Sequence, residues 1–260
     1  GGDVVEGPLP EGPSHFISWH PVPVRHGKTV GELAQQFREE RPIDVDLTVI
    51  PVKNWPREQW QDESGLPWVN TSPNMRSLSA AGLYPGIGLL ERAVSVGRGT
   101  PTPFEILGAP YIDGAALIRE VGPLPGISLE PIRFTPSASV HKDQECGGVR
   151  MTITDRRALR SVDAGVAIAS ALARLYPQQF PVDEIQPLLR HRATLEAIRA
   201  GKPLAEIRQL WGVVVHGATV IDGAPRAAGR GHPRRIASSA STPPTGTKVP
   251  RASRCTYSRR

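Results

Sequence analysis

The chain has 260 residues, of which 26 are Gly and 27 Pro, and its hydrophobic residues make up 39%. That is length and apolar material enough for one large domain or two small ones with a real core, while the Gly and Pro content excludes a coiled coil, a collagen or a long-helix bundle. The formal net charge of +6 sits at one end: residues 212–260 hold nine Lys/Arg against the single acid Asp222, so the body has 22 bases for 24 acids and gives no sign of nucleic-acid binding.

Residues 1–23, rich in Pro and Gly, are expected to be irregular. Thr29 and Glu32 have capping-box spacing, which predicts a helix from 30 to about 40, apolar at Val30, Leu33, Ala34 and Phe37 and stopped by Pro42. The β-branched run at 47–52 predicts a short buried strand. From 54 to 110 the chain is broken by Pro and Gly, as in Leu83-Tyr84-Pro85-Gly86, and such long irregular stretches in compact domains are often functional.

Strands are predicted at 127–132 and 149–154, the second with Val149, Met151 and Ile153 alternating with polar residues. Residues 163–176 predict the best helix, with Val166, Ala169, Leu172, Ala173 and Tyr176 on one stripe. Two shorter helices follow, at 194–200 and, with Pro203 at its first position, through Leu204, Ile207, Leu210 and Trp211. Residues 222–260 have almost no large apolar side chain and are expected to be a disordered basic tail.

The two cysteines, Cys146 and Cys255, are too few for a disulfide framework, and Cys146 reads as a small buried residue. No His/Cys/Asp cluster implies a metal or cofactor, and no run of 18 apolar residues predicts a membrane span. The start at Gly1-Gly2-Asp3 has no Met, charged region or apolar region of a signal peptide, and reads as a chain whose natural beginning lies upstream.

The chemistry-bearing stretch runs from Trp68 and Asn74 through Tyr84 and Glu91 to Arg98, Thr100, Phe104 and Glu105. It sets polar groups and aromatic faces on Gly/Pro-stiffened loops, the mixture that carbohydrate sites need. Glu91 and Glu105 are candidates for the two carboxylates of glycoside hydrolysis; the bland alternative is that one caps a helix or pairs with Arg98. Arg98, between two glycines, would grip a carboxylate bidentately or else order its loop through backbone carbonyls. His26 would bind a sugar or order a loop, Asn74 would bind a hydroxyl or close an Asx turn, and Trp68 would stack on a sugar or lie in the core.

Several strings in register resemble one family. These are VEGP at 5–8, RHGKTVGELAQQF at 25–37, LPWVNTSPNM at 66–75, LYPG at 83–86, GRGTPTPFEILGAPYID at 97–113, CGGV at 146–149 and LEAIRAGKPLAEIRQLW at 195–211. Together they are similar to the exo-β-N-acetylmuramidases of the NamZ family, formerly a family of unknown function, over roughly residues 4–211. The resemblance implies an α/β fold: the last part of a Rossmann-like domain at 1–70, a smaller α/β or α+β domain at 71–211, and the tail at 212–260. It implies a glycosidase that releases terminal N-acetylmuramic acid from the non-reducing end of peptidoglycan-derived glycans, from an extracytoplasmic parent. The residue chemistry above assigns to that activity Glu91 and Glu105 as candidate catalytic carboxylates and Arg98, Asn74, His26, Thr100 and Trp68 as candidate substrate-binding residues, with the main acid expected in the missing N-terminal part.

Three departures qualify it. The family's earlier half, with an acidic Glu-His-Gly-type motif, has no counterpart here; Arg92-Ala93-Val94 replaces a Thr-Asn pair; and the tail replaces a final Phe/Arg/Tyr helix, as a frameshift in a GC-rich gene would do. A weakly active or inactive fragment follows, with a non-catalytic cell-wall glycan-binding fragment as the alternative. Nucleic-acid binding rests on the tail alone and would be nonspecific.

Overall fold

The computed structural model describes residues 2–212; the expected disordered or frameshifted tail and Cys255 lie outside them. The architecture is mixed α/β, built of short helices and two small antiparallel sheets.

Strands β1 (Val5–Glu6) and β2 (Arg25–His26) pair antiparallel, with Val5 opposite His26 and Glu6 opposite Arg25. The Arg25 guanidinium donates to the Glu6 carboxylate at 2.8 Å and to the Leu159 carbonyl at 3.4 Å, joining this ladder to the body. Helix α1 (Val30–Glu40) begins as its sequence predicts: Thr29 accepts from the Glu32 amide, and Glu32 accepts from the Thr29 amide. Arg57 also pairs with Glu32 and holds its carboxyl down to about 2. His20 stacks on Phe37 with ring centroids 3.4 Å apart, which seats the 16–20 loop on α1.

The strand expected at 47–52 does not form. A strand exists only within a ladder, and no described strand runs alongside this segment, so Ile50 and Val52 are 86% and 75% exposed. The stretch from 54 to 110 is less irregular than expected. It contains helix α2 (Leu78–Ile87), N-capped by Ser77, and strand β3 (Ile106–Ala109). In α2, Ala80, Leu83 and Ile87 repeat at helical spacing and are buried; Pro85 lies in the last turn, where it leaves the Ala81 carbonyl without its i+4 amide partner just before the helix gives way to a 3-10 turn.

The larger sheet has the order β3, β5, β4, all antiparallel, with β4 at Ile127–Phe134 and β5 at Cys146–Ile153. β4 is an edge strand, which accommodates Pro131, and β5 starts three residues earlier than its alternation predicts. Helix α3 (Gly114–Val121), capped by Asp113, packs on this sheet. Helix α4 (Ser161–Leu175) lies at the centre, packed by α2, α3, α6 (Arg192–Arg199) and α7 (Leu204–Arg208). Because neighbours surround it, its burial from Ser161 to Leu172 is nearly continuous, not the single stripe expected of a surface helix. The short helix α5 (Gln186–Leu189) leads into α6, and Pro203 is the N-cap of α7, one position before the expected one.

Candidate functional site

After α2 the chain makes a buried 3-10 turn, Gly88–Leu90, and Glu91 follows as its cap. Ser95 then bridges to Gly108 of β3, each amide donating to the other's carbonyl at 2.9 Å. Between that bridge and β3 the chain loops out through Gly97-Arg98-Gly99. Gly97 and Gly99 have φ of 76° and 80°, the left-handed region that glycine enters freely. A Cβ on Gly99 would also fall 2.5 Å from the Ser137 hydroxyl and 2.6 Å from the Ala138 amide nitrogen, so glycine lets the 135–145 segment close over this loop.

The loop aims Arg98 back at Glu91. Its Nη2 donates to the Glu91 carboxylate at 2.5 Å, and its guanidinium carbon lies 5.1 Å from the centre of the Phe104 ring. Nη1 and Nε make no hydrogen bond within the described residues, and the side chain is 28% exposed. Arg98 therefore neither lies free nor orders its loop through backbone carbonyls. It is held at one corner by a carboxylate and on one face by an aromatic ring, with two donors left over. Tyr84 meets Phe104 edge-on at 4.8 Å; burial, reinforced by the Glu91 charge and opposed by Arg98, raises its phenol above the ordinary range.

A cavity of about 470 Å³ opens beside this pair, lined by Glu91, Arg92, Arg98, Ser139, Val140 and Glu184. Arg92 and Glu184 face each other across 3.0 Å, so two carboxylates and two guanidiniums share the opening. Ser139 in its wall, and His141 and Asp143 farther along the same segment, have φ near +60°, a costly conformation for residues with side chains and one that clusters at functional sites.

The other candidates are placed differently. Glu105 accepts the Ser77 hydroxyl at 2.5 Å and so steadies the N-cap of α2. Thr100 is buried and gives its hydroxyl to the Gly97 carbonyl at 2.6 Å, closing the arginine loop from within. Asn74 is half-buried in the turn where the Met75 amide reaches the Ser72 carbonyl. Arg76, donating to the carbonyls of Pro73 and Thr100, ties that turn to the arginine loop. Trp68 is half-buried and donates its indole N–H to Asn70, with no described contact to the Glu91–Arg98 pair.

His26 accepts the Lys28 amide on Nδ1 and is kept mainly neutral by burial; it lines a second cavity with Tyr84. Cys146 is buried and its thiol is pushed up to about 11, so it is no nucleophile. Among the described residues no group of His, Cys, Asp and Glu could hold a metal ion, and no helix is long and apolar enough to cross a membrane. Sequence reasoning missed Glu184 and Arg92 as lining residues: Glu184 lies far from Glu91 along the chain, and no local pattern marks it.

The arrangement of Glu91, Arg98 and Phe104 on one glycine-framed loop coincides with a family match over the whole described chain. Residues 82–215 match the family model described as "Exo-beta-N-acetylmuramidase NamZ, C-terminal", and residues 1–79 match "Exo-beta-N-acetylmuramidase NamZ, N-terminal". This chain belongs to the NamZ family. It is 40% identical over 185 residues to the peptidoglycan β-N-acetylmuramidase NamZ of Bacillus subtilis (strain 168), covering 69% of this chain and 44% of that protein. Two solved DUF1343 family proteins of Bacteroides fragilis NCTC 9343 resemble it, each over 80% of this chain: one at 27% identity and a TM-score of 0.63, the other at 26% and 0.60. They are covered to 55% and 57% of their own length, so the chain spans about half the length of the relatives it matches.

Proposed function

We propose that this chain carries the muramyl-recognising part of an exo-acting β-N-acetylmuramidase, which releases N-acetylmuramic acid from the non-reducing end of peptidoglycan-derived glycans. The observation that carries the reading is the Arg98 guanidinium, fixed by Glu91 and Phe104 with two donors still free at the mouth of a cavity. Muramic acid differs from glucosamine by a lactyl ether ending in a carboxylate, and a planar guanidinium with donors to spare is the side chain that selects it. Membership in a family whose Bacillus subtilis member is a peptidoglycan β-N-acetylmuramidase supports the substrate class.

In hydrolysis, Glu91 would be the carboxylate beside the sugar, able to stabilise positive charge at the anomeric carbon while Arg98 holds the lactyl group. Glu105, committed to Ser77, would act on the scaffold. A second reading, a wall that binds the glycan without turning it over, is favoured by the same two facts: Glu91 is held by Arg98, and Glu105 is spent on a helix cap.

Calorimetric titration with N-acetylmuramic acid and with N-acetylglucosamine tests recognition, and a chromogenic N-acetylmuraminide tests turnover. A preference for muramic acid that vanishes in Arg98→Ala is the expected result; equal affinity for both sugars would overturn the reading. Turnover by residues 1–260 alone, well above buffer, would place both catalytic groups in this chain and dismiss the binding-only alternative.

A further inference from the structure

Two buried polar atoms without a hydrogen-bond partner, Ser18 Oγ and Arg190 Nε, line one groove of about 470 Å³. Native structures rarely leave such atoms unpaired, and in an open groove the missing partner is a ligand or water. Its walls are prolines, aliphatic side chains and aromatic rings, among them Phe16, Trp19 and Tyr84, the first two 85% and 54% exposed. His26 supplies a third polar group. Because its Nδ1 accepts the Lys28 amide, the neutral ring carries its proton on Nε2 and is a donor.

Flat apolar faces together with a few, mostly uncharged hydrogen-bonding groups suit a pyranose, whose C–H faces stack on rings while its hydroxyls and acetamido group need donors and acceptors. No carboxylate lines the groove; the Arg41 guanidinium lies over one face of the Trp19 ring, 5.2 Å from its centre, which leaves the other face open, and the one charged side chain in the lining, Arg190, already gives Nη2 to the Pro13 carbonyl at 2.8 Å. The groove also adjoins the Glu91–Arg98 cavity. Tyr84 lines it and touches Phe104, over which Arg98 sits, while Glu184 of one cavity and Arg190 of the other lie on one short segment.

We infer that this groove is a second sugar site, holding the neutral N-acetylhexosamine ring that neighbours the muramyl residue in the glycan. The inference rests on the muramyl reading of Arg98, and the two separate by experiment. The probes are N,N′-diacetylchitobiose, which has no carboxylate, and N-acetylmuramic acid, each titrated into the full chain by calorimetry or NMR. Chitobiose affinity should fall tenfold or more in Trp19→Ala and several-fold in Ser18→Ala, and stay unchanged in Arg98→Lys. N-acetylmuramic acid should show the reverse pattern.

Arg41, which donates to the Trp19 carbonyl at 2.6 Å, keeps the loop seated when the indole is removed, and melting curves report whether each variant is folded. If Trp19→Ala does not fold, Ser18→Ala alone decides. Absence of chitobiose binding, or binding indifferent to the folded groove variants, overturns the second site while leaving the Arg98 reading to its own titration. A chain that sediments as a dimer, and becomes monomeric in Trp19→Ala, overturns it in favour of a second copy as the occupant.

Discussion

Gly86 of α2 and Gly165 of α4 meet backbone to backbone: a Cβ on Gly165 would lie 2.3 Å from the Gly86 carbonyl oxygen, and one on Gly86 would lie 1.6 Å from the Ser161 carbonyl oxygen. The two helices can approach so closely only because neither residue has a side chain. Since the 3-10 turn after α2 leads directly to Glu91, this crossing sets where the candidate site sits. Gly86→Ala and Gly165→Ala should each destabilise the chain by about 2–4 kcal/mol, since overpacking against main chain leaves nothing free to move aside. Thermal unfolding followed by circular dichroism should show midpoints lowered by roughly 5–15 °C. A midpoint within a degree of wild type would mean the helices separate at little cost.

Arg98→Lys keeps the charge and can still pair with Glu91, but loses the planar fork. If the guanidinium edge binds the lactyl carboxylate, muramic acid binding, and turnover in a protein that also carries the rest of the family's N-terminal half, should fall by one to two orders of magnitude, about 1.4–3 kcal/mol. Binding of the matching glucosamine derivative should hardly change. Equal losses on both ligands, with a lowered melting temperature, would assign Arg98 to the scaffold.

Asp163, near the start of α4, gives a pH dependence of definite sign. Burial raises its carboxyl to about 6, opposed by Arg208 and Arg160 and reinforced by the nearby Glu6 charge. An acid raised above its unfolded value of 3.8 binds its proton more tightly in the folded chain, so its contribution to stability is greatest at low pH and falls as pH rises through 4 to 6. Relative to wild type, Asp163→Asn should gain up to about 3 kcal/mol between pH 4 and pH 7. Denaturant unfolding at the two pH values measures it; a stability difference independent of pH would exclude the buried, proton-binding state. Glu32 acts in the opposite sense in a lower window, because its carboxyl is held down to about 2 and its contribution is lost only as pH falls below about 4.

Cys146 should be silent to thiol reagents in the folded chain. In a Cys255→Ser background, reaction with a disulfide reagent at pH 8 should wait for unfolding and appear only with denaturant, because the buried thiol is un-ionised there. Rapid labelling without denaturant would show that the site around Gln144 and Tyr111 opens.

What the sequence disclosed is what short-range physics decides. Thr29 and Glu32 are three residues apart, and their reciprocal hydrogen bonds need nothing from the rest of the molecule, so α1 was legible. Glu91 and Arg98 are near in sequence and Arg98 stands between two glycines, and their pairing could be anticipated as one of two outcomes. The run at 47–52 has the composition of a strand, but pairing is a property of the neighbour, which composition does not contain. Helix α2 was hidden by Pro85 and two glycines, residues that normally interrupt helices; here Gly86 serves the close crossing with α4. Glu184 and the Ser18–Arg190 groove are assembled from distant segments, and nothing local announces them.

The two family matches meet at residues 79 and 82, and α2 runs from Leu78 to Ile87 straight across that junction. A seam drawn by ancestry therefore falls inside a single rod whose Ala80, Leu83 and Ile87 are sealed in the interior. A recombinant joined at that seam would inherit two half-helices from different parents. One joined at 62–67, where every residue faces solvent, would inherit α2 entire.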